Sequence, residues 1–322
     1  MKFTIGFDPE DRQKVHEAWD EIFATQQWTE GKFTALFEQK WSAYNGLPAV
    51  SFSSWTGAAL TALEFFKLRG KTVLCPSNTF MATPWSVIKA GANVEFVDCN
   101  REDLCLSFED LKRKAERFKP AAVWVVHIGG HIAFEIDEIS RFCKERGILL
   151  LEDCAHAHGA SWGGRRAGTW GDAGIYSFYA TKTITTGEGG MLVAARPELV
   201  EYAKRYRNYG KPDYASEGLN FRINEFAAAI GCVQMDRLDE IVAWKNSYAR
   251  RRLDSNFPNR VKFPEGMVSG YYKYIVFDAI QKSTGKVYDR PCHRIMGRTD
   301  ELPNSDWVAR SHWCVPLYYK GE

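Results

Sequence analysis

The stretch ILLLEDCAHAHGA, residues 148–160, runs four apolar residues straight into two acids and then into a polar turn. A half-solvated strand would alternate apolar and polar positions. An unbroken apolar run of this length reads as a strand covered on both faces, which is the habit of parallel sheets. Asp153 then falls at the carboxyl rim of that strand. Working outward, similar short runs recur as PAVSFSS (48–54), TVLCPSN (72–78), NVEFVDCN (93–100), AAVWVVHIGG (121–130), GDAGIYSF (171–178) and GGMLVAA (189–195). Between them lie helical patterns: WTGAALTALEFFKLRG (55–70), TPWSVIKAGA (83–92), Ser107 to Phe118, and IDEISRFCKERG (136–147) with its glycine stop. Two further helices are expected over 10–27 and 33–44. The alternation predicts an α/β chain, a three-layer sandwich with a mainly parallel large-domain sheet. A long amphipathic helix from about residue 223 leads to a smaller C-terminal α/β domain. The division expected is 1–235 for the large domain with its N-terminal helical segment and 236–322 for the small one.

At 322 residues the chain is long enough for such a core, and 45% hydrophobic with 25% charged residues is ordinary for a soluble globular protein. A formal charge of +2 gives no reason to expect nucleic acid or an anionic membrane as partner. The eight cysteines are scattered without a C-x-x-C pair, so reduced, buried thiols and a cytoplasmic setting are expected. The N-terminal text MKFTIGFDPEDRQ has no apolar leader, and no run approaches the length of a membrane span.

In open α/β sheets ligands bind beyond the carboxyl ends of the strands, and three such ends carry notable residues. In SFSSWTGAAL, Thr56 and Gly57 open a helix whose free N–H groups suit a phosphate, although a plain helix cap reads the same way. Asp153 is a costly rim carboxylate unless paired or hydrogen-bonded, or else it caps the next turn. His156 and His158 follow it, but one acid and two imidazoles on a short turn lack further ligands, so no metal is expected. Ser177 and Lys182 follow GIYSF. A lysine in a turn is usually a solvated charge, yet lysine can lose its proton and attack a carbonyl. Taken together, an amine, a rim acid and hydroxyl and backbone donors are what pyridoxal 5′-phosphate requires: an imine partner, an anion for its ring nitrogen and a phosphate cradle. Phe80, in SNTFMAT, reads either as core or as an aromatic over the cofactor ring.

These motifs resemble the DegT/DnrJ/EryC1/StrS family of sugar aminotransferases, of the type I aspartate-aminotransferase fold. The resemblance runs from about Gly31 to about residue 245. It is carried in order by WTGAALTAL, PSNTFMATPWSVIKAGANVEFVDCN, EDCAHAHGA, GDAGIYSFYATKTITTGEGG and GLNFRINEFAAAIGCVQMDRLDEI. It implies that Lys182 holds pyridoxal 5′-phosphate covalently, that Asp153 faces the ring nitrogen, and that Phe80 stacks on the ring. It further implies Thr56, Gly57 and Ser177 at the phosphate and His156 near the cofactor. Asn220 would reach the phosphate of a neighbouring subunit, making the working unit a homodimer. The implied activity is transfer of an amino group from glutamate or glutamine to a keto sugar, nucleotide-linked, or to a ketocyclitol.

A dehydratase branch of the family has histidine in place of the imine-forming lysine, so Lys182 favours transamination. A dehydratase acting on a sugar and a non-catalytic cofactor-binding sensor remain the alternatives. HIGGHIAFEIDEI replaces the family's HLYG-type text, which makes His127 and His131 candidates for a substrate pocket. The chain stops after PLYYKGE where most relatives continue, so the small domain reads as shortened. His293, Arg294, Arg298 and His312 there are candidates to meet a substrate anion.

Overall fold

The computed structural model describes residues 6–321; residues 1–5 of the N-terminal text lie outside them. Two helices come first, α1 (Pro9–Thr25) and α2 (Lys32–Asn45), followed by β1 (Ala49–Phe52), α3 (Trp55–Phe65), β2 (Thr72–Pro76), α4 (Ala82–Lys89) and β3 (Asn93–Val97). Then come α5 (Phe108–Phe118), β4 (Ala122–Val126), α6 (Ile136–Arg146), β5 (Leu149–Asp153) and a small hairpin of β6 (Ser161–Trp162) and β7 (Arg165–Arg166). β8 (Ala173–Ser177), β9 (Gly190–Val193), α7 (Pro197–Tyr206) and α8 (Glu225–Tyr248) complete the large body. The C-terminal part holds β10 (Met267–Val268), β11 (Tyr274–Val276), α9 (Cys292–Ile295), α10 (Pro303–Ser311) and β12 (Trp313–Val315).

Seven strands form the main sheet in the order β1-β9-β8-β5-β4-β2-β3. β3, β2, β4, β5 and β8 are mutually parallel, whereas β9 runs antiparallel to both β8 and β1. The apolar strands serve two cores at once. Leu74, Val123 and Val125 join Phe37, Trp41, Ile136 and Leu238 on one face, while Val73, Ala122 and Trp124 join Ala58, Leu63, Val87 and Leu199 on the other. That two-sided burial is what the unbroken runs required.

The long-range joints use buried polar groups. Glu225, at the start of α8, accepts from the N–H groups of Gly31 (3.0 Å), Phe33 (2.7 Å) and Thr34 (2.9 Å) and so caps α2 from across the fold. All eight cysteines are buried and unpaired. No helix among the described residues is long and apolar enough to cross a membrane.

The expected boundary at residue 235 falls inside α8, a single 24-residue helix, so no linker separates the two parts there. β11 and β12 pair antiparallel over a third cluster that includes Leu253, Tyr271, Tyr274 and Val315. The segment between those strands returns to the large body. Cys292 N–H donates to Ser77 O (2.8 Å), Arg298 binds Val94 O (2.8 Å) and Glu95 (2.7 Å), and the N–H groups of Asn304 and Ser305 cap onto Asp98 (2.9 and 2.6 Å).

Candidate active site

The carboxyl ends of β1, β2, β5 and β8 open into one cavity of about 800 Å³. Its floor is Asp153, the last residue of β5, with a side chain only 5% exposed. Asp153 Oδ2 accepts from Thr83 Oγ1 (2.9 Å) and Oδ1 from Ala155 N–H (3.0 Å). Thr79 Oγ1 in turn lies 3.0 Å from Thr83 Oγ1. Burial pushes the Asp153 carboxyl above its ordinary range, and these bonds, with the Lys182 and His127 charges, pull the other way. Asp153 makes no ion pair among the described residues, its two oxygens being met by Thr83 and Ala155.

Lys182 stands in the loop from β8 to β9, and the threonines around it explain the text TKTITTGEGG. Thr185 Oγ1 donates to Phe178 O (3.0 Å) and accepts from Gly187 N–H (2.9 Å), while Thr186 Oγ1 donates to Glu188 O (2.7 Å). These bonds close the loop on itself and leave Lys182 aimed at the cavity, its N–H tied to Tyr179 O (3.0 Å). Gly190 lets the loop re-enter the sheet beside the β1–α3 turn, because a Cβ there would stand 2.4 Å from Ser54 O. Burial pushes the Lys182 amine down to about 8; the Asp153 charge opposes this and the Lys273 charge adds to it. At neutral pH a usable fraction of this amine is the free base.

The remaining wall comes from far along the chain. Tyr272, Lys273, Thr284 and residues 286–290 line the cavity opposite the strand ends. Tyr272 stacks on the His156 ring at 4.2 Å, its hydroxyl 3.1 Å from Thr181 Oγ1, and Tyr288 stacks beyond His156 at 5.9 Å. His156 Nδ1 accepts from Gly129 N–H (3.4 Å), and burial, then the Lys182 and Lys273 charges, hold the imidazole neutral. Phe80, from the β2–α4 turn, is 64% exposed and forms part of the cavity lining.

The sequence matches the family model of the DegT/DnrJ/EryC1/StrS aminotransferases over residues 9–267. The chain belongs to this family. It is 32% identical to the dTDP-3-amino-3,4,6-trideoxy-alpha-D-glucose transaminase of Micromonospora megalomicea subsp. nigra, covering 96% of this chain and 90% of that protein. It is also 32% identical to the GDP-perosamine synthase of Vibrio cholerae, over 77% of this chain and 68% of the other. Among solved structures it superposes on the aminotransferase TlmJ from Streptoalloteichus hindustanus with a TM-score of 0.89 at 27% identity, covering all of this chain and 94% of that one.

The aminotransferases of this family use pyridoxal 5′-phosphate, and the cavity suits it on two counts. Asp153 is a nearly inaccessible carboxylate without an ion pair among the described residues, the right counterpart for a protonated ring nitrogen. Phe80 is an aromatic left largely bare beside it, with a face free to cover a flat ring. Ser54, Thr56 and Ser177 share the cavity as hydroxyl donors at the strand and helix ends.

Other expected residues lie elsewhere. Gly57 is not in the cavity lining: its N–H already donates to the cap Ser54 Oγ (3.2 Å), and a Cβ on it would stand 2.8 Å from the Phe221 ring. Its smallness serves packing against that ring. His127 is fully buried. Its Nδ1 accepts from Ala133 N–H (3.1 Å) and its Nε2–H donates to Glu152 (3.0 Å), which also accepts from the N–H groups of Gly168 (2.8 Å), Trp170 (2.7 Å) and Gly171 (2.6 Å). Burying that carboxylate costs several kcal/mol, and four charge-assisted bonds of about 1.5–3 kcal/mol each offset it. His131 is likewise buried against Asp103 O (2.9 Å), with burial pushing its imidazole down to about 4.

His312 is buried too, accepting from Val287 N–H (2.8 Å) and donating to Val308 O; it braces the wall from behind without reaching the cavity. The pocket roles expected for these three histidines are therefore replaced by structural ones. His293 sits against Ser77 Oγ (2.6 Å), Arg294 pairs with Asp306 (2.7 Å) and Arg298 with Glu95 (2.7 Å), so their side chains are committed elsewhere. Asn220 is exposed, its Oδ1 accepting from Arg222 N–H (3.3 Å), and it is not among the residues lining the main cavity. The wall residues Tyr272, Lys273 and Tyr288 were not assigned from sequence. The available signal was a lysine set among tyrosines in an otherwise core-like strand, YYKYIVF.

Proposed function

We propose that this chain is a pyridoxal 5′-phosphate-dependent aminotransferase moving an amino group from glutamate or glutamine to a nucleotide-linked keto sugar or a ketocyclitol. The observation that carries the reading is the convergence of Lys182, Asp153 and Phe80 on one cavity. When bound, the cofactor supplies a carbonyl for amine capture and an electron sink for charge developing at the substrate carbon. The chain's own part is positional and protolytic. Asp153 would keep the ring nitrogen protonated. Phe80 would offer its face to the ring, and His156, neutral and stacked with two tyrosines, would stand beside it. Ser54, Thr56 and Ser177 offer donors to the phosphate. Lys182 Nζ takes a proton from the carbon that bears the donor nitrogen and returns one during the second half of the reaction.

The named activities of the relatives, a dTDP-amino-sugar transaminase and a GDP-perosamine synthase, support a nucleotide-linked keto sugar as acceptor. A homodimer fits the surface near Asn220, where Trp28, Tyr209, Tyr214 and Leu219 are each more than two-fifths exposed. A partner's Asn220 would then complete the phosphate cradle. Light scattering at micromolar protein checks the stoichiometry; a monomer would remove the shared-site part of the reading.

The deciding experiment is a half-reaction screen. Loaded protein is mixed with glutamate, glutamine and other amines while the cofactor absorbance is followed, and the aminated form is then challenged with keto sugars and ketocyclitols. Donor-driven conversion followed by transfer supports the reading. Bound cofactor that answers to no donor points instead to a binding protein.

A further inference from the structure

We propose that Lys273 is the cation that receives the α-carboxylate of the amino donor. The inference rests on the aminotransferase reading and adds a residue to it. An amino acid brings its carboxylate two bonds from the nitrogen that must meet Lys182's place, so the receiving cation has to stand beside Lys182. Four cationic side chains line the main cavity: Lys182, Lys273, Lys286 and Arg290. Lys286 is committed, donating to Arg310 O (2.8 Å) and His312 O (2.6 Å) and lying 4.1 Å from the Trp313 ring centre. Arg290 is exposed at the rim.

Of these four, Lys273 stands next to Lys182. The two amines share one tyrosine, with Lys182 Nζ 4.7 Å and Lys273 Nζ 5.1 Å from the centre of the Tyr272 ring. The pair also borders a small second cavity of about 60 Å³ behind the loop. Unlike Arg237, Arg294 and Arg298, each paired with a carboxylate, Lys273 makes no ion pair among the described residues. The acids of the cavity, Asp153, Glu188 and Asp289, leave it unmatched.

A half-buried lysine head with no carboxylate partner, facing a cavity beside a second amine, leaves a place for an anion. The mount is firm: Lys273 N–H donates to Gly129 O (2.8 Å), and Gly130 lets the backbone approach so closely that a Cβ would stand 2.6 Å from Tyr272 N. The lowering of the Lys182 amine by the Lys273 charge agrees with their proximity.

The test compares loaded wild type, Lys273→Met, Lys273→Gln and Lys273→Arg, using glutarate as an unreactive dicarboxylate in calorimetry and glutamate in the absorbance half-reaction. The two neutral variants are expected to bind glutarate about 10- to 100-fold more weakly. Their half-saturating glutamate concentration should rise in parallel, with a smaller change in the limiting rate and substantial recovery in Lys273→Arg. Wild type that converts glutamate while glutarate affinity and half-saturation are indifferent to Lys273 would overturn the assignment. Wild type that converts no donor at all would instead overturn the aminotransferase reading beneath it.

Discussion

The floor and the wall of the cavity are built on different principles. The floor residues, Asp153, Ser177 and the Lys182 loop, end strands of one sheet and are held by backbone and threonine bonds over short stretches of chain. The wall residues, Tyr272, Lys273 and Tyr288, arrive from about ninety residues or more beyond Lys182; the Lys273 backbone is fastened to Gly129 O (2.8 Å), but the Tyr272 and Tyr288 rings rest on stacking and one long contact to His156. Rigid hydrogen-bonded groups suit chemistry that must not shift by an ångström. Stacked aromatic rings tolerate change and suit selection among substrates. Floor substitutions should therefore alter rate and folding, and wall substitutions should alter affinity.

Lys182→Ala should break the floor most severely, lowering the half-reaction rate by about 10²–10⁴-fold with little change in thermal midpoint. Stopped-flow absorbance with calorimetry checks it, and a variant that retains near wild-type rate would dissolve the distinction. Glu152→Gln, beneath the floor, should leave an amide hydrogen facing N–H donors and cost about 3–5 kcal/mol in urea unfolding.

Acid should also find the floor first. His158 is packed among Trp41, Tyr176 and Phe178 without a well-formed hydrogen bond, and burial pushes it down to about 3. Its unfolded form takes up a proton near pH 6.5, so stability should fall as pH drops below that value and continue falling toward the folded-state titration. His158→Phe should flatten this decline in denaturation curves at pH 7 and pH 5; an unchanged slope would assign the acid sensitivity to the other histidines that burial pushes down, His131 and His312 (to about 4), His156 and His293. The smallest effect is expected at the wall: Tyr272→Phe removes only the contact with Thr181, about 1 kcal/mol or less. It should shift half-saturation for glutamate a few-fold while leaving the limiting rate alone.

The same division governed what could be read from sequence. Unbroken apolar runs announced the strands, and an acid or a lysine just past a run announced the floor, because strand, rim and side chain are contiguous. His127, His131 and His312 misled because nothing local distinguishes a histidine aimed at a ligand from one pinned by backbone groups or a buried carboxylate. The packing role of Gly57 was hidden for a related reason: the Phe221 ring that demands its smallness is 164 residues away. The wall left only the odd lysine among the tyrosines of YYKYIVF, since stacking between His156 and Tyr272 leaves no periodic trace in either segment.

The return of the C-terminal segment to the large body has a mechanical consequence. Chain passes between the two parts along α8, again through residues 284–292, and once more into β12, and the middle crossing is fastened at both ends by Thr284 N–H to Cys314 O (2.9 Å) and Cys292 N–H to Ser77 O (2.8 Å). A swinging closure of one part upon the other, common where a single hinge joins two bodies, would shear those fastenings. The aperture is thus set by the fold, leaving side-chain rotation at Phe80, Tyr288 and Arg290 to admit and release what enters.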